Sequence, residues 1–169
     1  MAKTRNLKVG ELRFAIVFLI IFFIVQYVYS ASRGGVIEHI VIDVATVRPS
    51  AAILNLISPA ENVVASGHRI ISPNGSLSIL NGCEGTETMF LLIAAILAFR
   101  APWLYKLKGA VLGILIIYVL NQVRIVALFF AAQQSRQWFD LLHGIIAPTL
   151  IIALGCLFFL FWSGRSVSE

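Results

Sequence analysis

Residues 14–29 read FAIVFLIIFFIVQYVY, an unbroken run without a single charge. A hydrocarbon core ~30 Å thick is crossed by ~20 largely apolar helical residues rising 1.5 Å each. This run and its flanks, about 14–30, therefore read as a membrane-spanning helix. Working outward, three more stretches qualify or nearly so: about 86–104, 109–132 and 143–162. The second is short, Thr86 to Phe99, and reaches full length only with Trp103 and Leu104 beyond Pro102. Bilayer thinning and snorkelling flanks tolerate such mismatch. The expected fold class is an all-α integral membrane protein. It is a bundle of about four transmembrane helices, one domain over residues 1–169.

Composition agrees. Of 169 residues, 59% are hydrophobic and 12% charged, with a mean hydropathy of +0.91. Soluble domains carry about 25% charged residues, so a soluble enzyme, a disordered chain and a nucleic-acid binder working in bulk water are excluded. Two cysteines make no disulfide framework. The net charge of +5 follows from sidedness. With both termini inside, Lys3, Arg5, Lys8, Arg13, Arg100, Lys106, Lys108 and Arg165 fall on one side, opposed by Glu11 and Glu169 alone. The remaining residues carry five arginines against six acids. The basic balance is therefore topology, and the expected address is the cytoplasmic (inner) membrane, multi-pass, with membrane lipid but no nucleic acid as partner. Ser30 offers a marginal signal-peptide cleavage position, but the apolar run is long for that role. An uncleaved anchor is expected.

Residues 31–85 form a long extracytoplasmic segment. Ile37, Ile40, Val41, Val44 and Val47 recur at helical spacing, opposed by Glu38, His39, Asp43 and Arg48. They predict an amphipathic helix lying among headgroups or capping the bundle. Pro49 either kinks it or starts the next helix, through Ala51 to Ile57. Between Asn62 and Leu80, short apolar pairs alternate with Ser66-Gly67 and Pro73-Asn74-Gly75, predicting one or two small β-hairpins. These lead straight into Asn81-Gly82-Cys83.

That topology brings three reactive side chains to one face of the membrane. Cys83 precedes the second span, Arg124 lies in the outer part of the third, and His143 opens the fourth. A charge within a span costs at least ~2.5 kcal/mol and marks a functional site by default. The plainer alternative is that Arg124 snorkels or pairs with Glu84 or Glu87 to lock the bundle. Cys83, between Gly82 and Gly85 at a helix start, is placed where dipole and free N–H groups favour thiolate. The plainer alternative is an apolar filler, which is how Cys156 reads, ~20 Å deeper in its helix than His143. Asp140, three residues before His143, is a candidate to orient the imidazole. His39 and His68 have no partner pattern. A zinc site from Cys83, His143 and His68 is conceivable, but no CxxC or HExxH spacing supports it, and neither metal nor cofactor is expected.

Together, thiol, imidazole and guanidinium suit thioacyl transfer. The thiolate attacks a carbonyl, the imidazole carries the proton to the leaving amine, and the cation steadies the oxyanion. At these residues the chain resembles the exosortase/archaeosortase family of membrane-embedded sorting transpeptidases. The resemblance rests on Cys83-Glu84-Gly85, on Asn121-Gln122-Val123-Arg124-Ile125 and on His143-Gly144, in that order, over about residues 60–160. It implies a cysteine protease/transpeptidase that cleaves the C-terminal sorting signal of exported proteins at the outer membrane face. The implied partner carries a short motif, a transmembrane helix and a basic tail. Cys83 would be nucleophile, His143 acid/base and Arg124 oxyanion or orienting residue, with Asn121, Asp140 and Gly85 in support. The chain lacks the extra spans of longer members and resembles a short stand-alone subfamily, the type called exosortase H, whose partners carry an Ile-Pro-Thr-Leu-type signal. Many relatives have Ser after the Cys, where this chain has Glu84. The competing reading is a non-enzymatic bundle subunit of a transport or secretion complex, with Arg124 as its interhelical lock.

Overall fold

In a computed structural model of the chain, the backbone is described over residues 2–80 and 82–166, and side chains over 10–80 and 82–165. The side chains of Lys3, Arg5 and Lys8, and all of Asn81 and Glu169, lie outside the described residues. Five long helices and a small sheet follow in chain order. They are α1 (Ala2–Ala31), α2 (Val36–Ile57), a three-stranded sheet, α3 (Thr86–Ala98), α4 (Trp103–Gln134) and α5 (Arg136–Leu141, continuing through Leu142–Ile146 and Ala147–Ser166). Among the described residues, four helices are long and apolar enough to cross a membrane: Gly10–Ala31, Val36–Ile57, Trp103–Gln134 and Arg136–Arg165. The protein is a multi-pass, all-α membrane bundle.

The span expected over 86–104 is corrected. Helix α3 stops at Ala98, where Phe99 turns extended (φ −69°, ψ 146°). Pro102 (φ −55°, ψ 144°) then N-caps α4. Proline donates no N–H and disfavours a helical residue before it, so the break is local chemistry. Trp103 and Leu104 belong to α4, not to the helix before it.

Antiparallel packing gives the bundle two ends. Tyr29 of α1 meets Phe90 and Glu84 at the start of α3, and Asn121 of α4 lies under Gly85. At the far end Gly109 of α4 lies under Trp162 of α5, and Tyr105 OH donates to Trp162 O at 2.9 Å. Gly109 and Gly113 form a Gly-x-x-x-Gly stripe. A Cβ at Gly113 would stand 2.7 Å from Leu92 Cδ2, so glycine lets the Leu92 side chain pack directly against the α4 backbone. Leu92, Ile96, Ile117, Ile151 and Trp162 fill this half.

Helix α2 begins and ends at the Cys83 end. It follows α1 there, and Glu61 beyond it accepts from Gln133 Nε2 at the end of α4 (3.0 Å). Its buried face is Ile42, Thr46, Val47, Ser50, Ala51 and Leu54. The expected apolar face is corrected: of its members only Val47 is buried, while Ile37, Ile40 and Val44 are exposed. In a membrane protein the apolar stripe can face lipid while small and polar side chains meet the neighbouring helix. Ser50 Oγ accordingly donates to Gln122 Oε1 (2.6 Å).

Pro49 neither breaks nor starts this helix. Residues His39–Val47 form wider π-type turns, and Thr46 Oγ1 bonds Val41 O, five residues back (2.7 Å). Widening relieves the clash of the proline ring with the carbonyl four residues before it. That carbonyl, Ala45 O, is taken up by Tyr118 OH (2.9 Å) and Gln122 Nε2 (3.4 Å). The same device recurs in α5, where the π-type turn Leu142–Ile146 precedes Pro148.

The sheet is an antiparallel meander of β1 (Val64–Ser66), β2 (Arg69–Ser72) and β3 (Gly75–Ser78). Its two hairpins turn at Gly67 (φ +54°) and at Pro73-Asn74, as the turn residues predict. Ile70 pairs with Leu77, and both bury against Ile125, Leu128 and Phe129 of α4. The sheet therefore delivers the chain to Cys83 from a fixed platform.

Candidate active site

Cys83 sits in a tight turn between β3 and α3. Gly82 (φ +96°) and Gly85 (φ +78°) adopt left-handed backbone that side chains resist. Gly85 is doubly required, because a Cβ there would lie 2.9 Å from Asn121 Cγ. The Cys83 N–H bonds Leu80 O at 2.9 Å. Cys83 stands two residues before the helix cap at Gly85, so it precedes the helix rather than opening it.

Between those glycines, Glu84 is 4% exposed yet has no cationic partner among the described residues. Its Oε2 accepts the Gly82 N–H (2.6 Å), and its Oε1 accepts Tyr29 OH (3.0 Å) and Thr86 Oγ1 (3.1 Å). Three donors hold the carboxylate in place and fasten the cysteine turn to α1. No sequence pattern points to this role. Glu84 stood out as a departure from the family pattern and as a possible partner for Arg124, and Tyr29 only as the end of an apolar run.

The thiol meets the imidazole. Cys83 Sγ lies 3.8 Å from His143 Nδ1 and 3.9 Å from Nε2, across a sequence separation of 60 residues. His143 rides on the π-type turn of α5, its ring stacked on Phe139 at 5.4 Å and 9°. Arg124, on the buried face of α4 with Asn121 one turn earlier, is 8% exposed. Its Nε has no hydrogen-bond partner, and neither has Asn121 Oδ1. The lock with Glu84 or Glu87 is absent, since the ion pairs among the described residues are His39–Asp43 and Arg136–Asp140. A buried guanidinium without a carboxylate keeps its donors for something else.

Burial pushes the Cys83 thiol above the usual cysteine range, whereas the Arg124 charge and the Leu80 hydrogen bond pull it down and Glu84 pushes it up. This corrects the thiolate expected at a helix start. Burial thus opposes the thiolate, and ionising the sulfur calls on the base beside it. Asp140 makes no hydrogen bond to that base among the described residues. It is 62% exposed and 3.8 Å from Arg136 Nε. His68 sits in the β1–β2 turn, and among the described residues no group of three or more metal-ligating side chains forms. Cys156 is exposed on α5, lining an apolar groove with Phe18 and Leu92 rather than filling the core.

The apolar helical bundle thus gathers a thiol, an imidazole and an unpaired guanidinium at one end of a multi-pass membrane protein. Residues 8–162 match the family described as Transmembrane exosortase (Exosortase_EpsH), and the chain belongs to that family. No curated protein and no solved structure matches it. Membership suggests a membrane transpeptidase in protein sorting, acting on a protein with a C-terminal sorting signal.

Proposed function

We propose that the protein is a cysteine transpeptidase that cleaves the C-terminal sorting signal of exported proteins. The observation that carries this reading is the 3.8 Å approach of Cys83 Sγ to His143 beside the unpaired Arg124. The Cys83 proton passes to His143 as Sγ attacks the scissile carbonyl carbon. The oxyanion so formed is held by Arg124, with Asn121 and Gly85 fixing that part of the wall. Collapse breaks the C–N bond, and the imidazolium proton goes to the leaving amine. The acyl half remains as a thioester on Sγ. An amine, a hydroxyl or water then attacks it, giving its proton to His143 while the thiolate departs. Each interaction is strengthened by the partly desolvated setting.

The site faces the outside of the cytoplasmic membrane in this proposal, with both termini inside. Support comes from charge: Arg13, Arg100, Lys106, Lys108 and Arg165 all belong to the end of the bundle away from Cys83. The short stand-alone type and an Ile-Pro-Thr-Leu-type signal are part of the same proposal. Mass spectrometry of a co-expressed substrate tests it. Intact Cys83 should give a truncated C-terminus with any attached group, and Cys83→Ala should leave the substrate whole. Unchanged processing by Cys83→Ala refutes it. The bundle-subunit reading has no supporting contact, because Arg124 engages no carboxylate among the described residues.

A further inference from the structure

The two edges of the small sheet are unlike. Ile79 N–H bonds His68 O at 2.8 Å. Alternation in an antiparallel ladder then turns the main-chain groups of Leu77 and Gly75 toward β2 and those of Ser76 and Ser78 away from it. Both serines are exposed, and among the described residues no hydrogen bond takes those outward N–H and C=O groups. On the opposite edge the outward groups of Val63 are both occupied. Asn55 Nδ2 donates to Val63 O and Asn55 Oδ1 accepts Val63 N–H, each at 2.8 Å. A side-chain amide thus takes up the Val63 pair on that edge in the way a strand would, whereas the Ser76 and Ser78 groups of the other edge are left open. Open edges invite pairing and are ordinarily protected. The unprotected one runs within five residues into Cys83.

We propose that the free edge of β3 at Ser76 and Ser78 binds an extended peptide by strand addition. The inference rests on the thioacyl reading above and names how its substrate is held. The acyl half is the part that stays on the sulfur while an acceptor arrives, so it is the part that needs a platform. Its residues before the cut lie along β3, and its carbonyl carbon reaches Cys83. In such recognition main-chain hydrogen bonds at every second residue supply the affinity, and alternate side chains add selectivity for the signal.

The main-chain component is shared by any extended peptide, so it can be tested with the full-length protein in detergent and a polyalanyl probe. Cys83 is alkylated with an acetyl-tetra-alanyl chloromethyl ketone or with chloroacetone, and amide hydrogen exchange is read over residues 75–80. The peptidyl adduct should slow exchange there at least tenfold, and the chloroacetone adduct should leave it unchanged. N-methylation of the probe should cancel the protection at alternate alanines only. Equal exchange in the two adducts, or protection indifferent to N-methylation, overturns strand addition and leaves the thioacyl reading standing. Failure of either ketone to label Cys83 overturns that reading and this one with it. Ser78→Pro removes an outward N–H. It should slow labelling by the peptidyl ketone while chloroacetone labels at the wild-type rate. An unchanged ratio of the two rates also overturns the proposal.

Discussion

The two ends of the bundle are held together by opposite means. Away from Cys83, helices meet through rings and glycines: Trp162 packs on Tyr105 at 5.0 Å and on Phe99 at 5.7 Å, with Gly109 beneath. Lys106 Nζ also caps the end of α3 by donating to Leu97 O (2.7 Å). At the Cys83 end, the helices enclose Glu84, Asn121, Gln122, Ser50 and Arg124. Burying polar groups costs free energy unless each finds a partner, and Arg124 Nε and Asn121 Oδ1 find none. One end supplies stability and the other spends some of it. That division is what the proposed active site would require of the bundle.

The sharpest way to break the comparison is Arg124→Met. Losing a preorganised oxyanion donor should cut turnover about 10²–10³-fold. Removing a buried charge that has no counter-ion should leave the thermal midpoint unchanged or higher. Thermal unfolding in detergent, measured beside substrate processing, reads both. A lower midpoint with less folded protein would mean that Arg124 locks helices together, and the division between the ends would fail.

Gly109→Ala probes the other end. The new methyl would overlap the Trp162 indole, and overpacking of this kind costs about 1–3 kcal/mol. The midpoint should fall while the alkylation rate of Cys83 in the folded fraction stays at its wild-type value. If alkylation slowed in parallel, the two ends would be coupled through α4 and α5.

Much of this division was legible in the sequence. The apolar runs place α1, α4 and α5, the turn residues Gly67 and Pro73-Asn74 place the hairpins, and Lys and Arg mark one end. Cys83, His143 and Arg124 stood out by chemistry, and the structure brings the first two together. What could not be read was which face of a lipid-exposed helix is buried. Helical spacing of apolar residues selects Ile40 and Val44, but lipid accepts those, and the interface goes to Thr46, Ser50 and Ala51. Nor could spacing show that α2 and α5 pass through proline by widening a turn. That widening depends on partners elsewhere in the chain, such as Tyr118 and Gln122 for the carbonyl of Ala45. Glu84 was hidden for the same reason, since its donors come from Tyr29, Thr86 and Gly82.

Glu84→Gln sharpens the site end. With its oxygen on Gly82 N–H, the amide can still donate its NH2 to the Tyr29 and Thr86 hydroxyls, so the bonds are re-paired but lose the charge assistance of the carboxylate. A loss of about 1 kcal/mol in holding the cysteine turn should lower turnover by up to roughly tenfold. The thiol reports separately. The negative charge of Glu84 pushes the Cys83 pKa up, so its removal should move the pH profile of Cys83 alkylation to lower pH. Arg124→Met removes a charge that pulls the same pKa down and should move that profile to higher pH. Shifts in the same direction would mean that burial, not these two charges, sets the difference between the variants.

The smallest effect is expected from Asp140→Asn. Sequence spacing makes Asp140 the natural orienter of His143, but the carboxylate is solvent-exposed and 3.8 Å from an Arg136 that is itself 92% exposed. An exposed pair of that kind contributes at most about 1 kcal/mol. The imidazole is placed instead by stacking on Phe139 and by the π-type turn that carries it. Turnover of Asp140→Asn should therefore stay within about twofold of wild type, the size of effect an exposed charge pair allows, whereas Phe139→Ala should lower it further than that. A large loss from Asp140→Asn would show that α5 rotates on binding substrate to bring the carboxylate to the ring. It would move the boundary of the site end one helical turn outward.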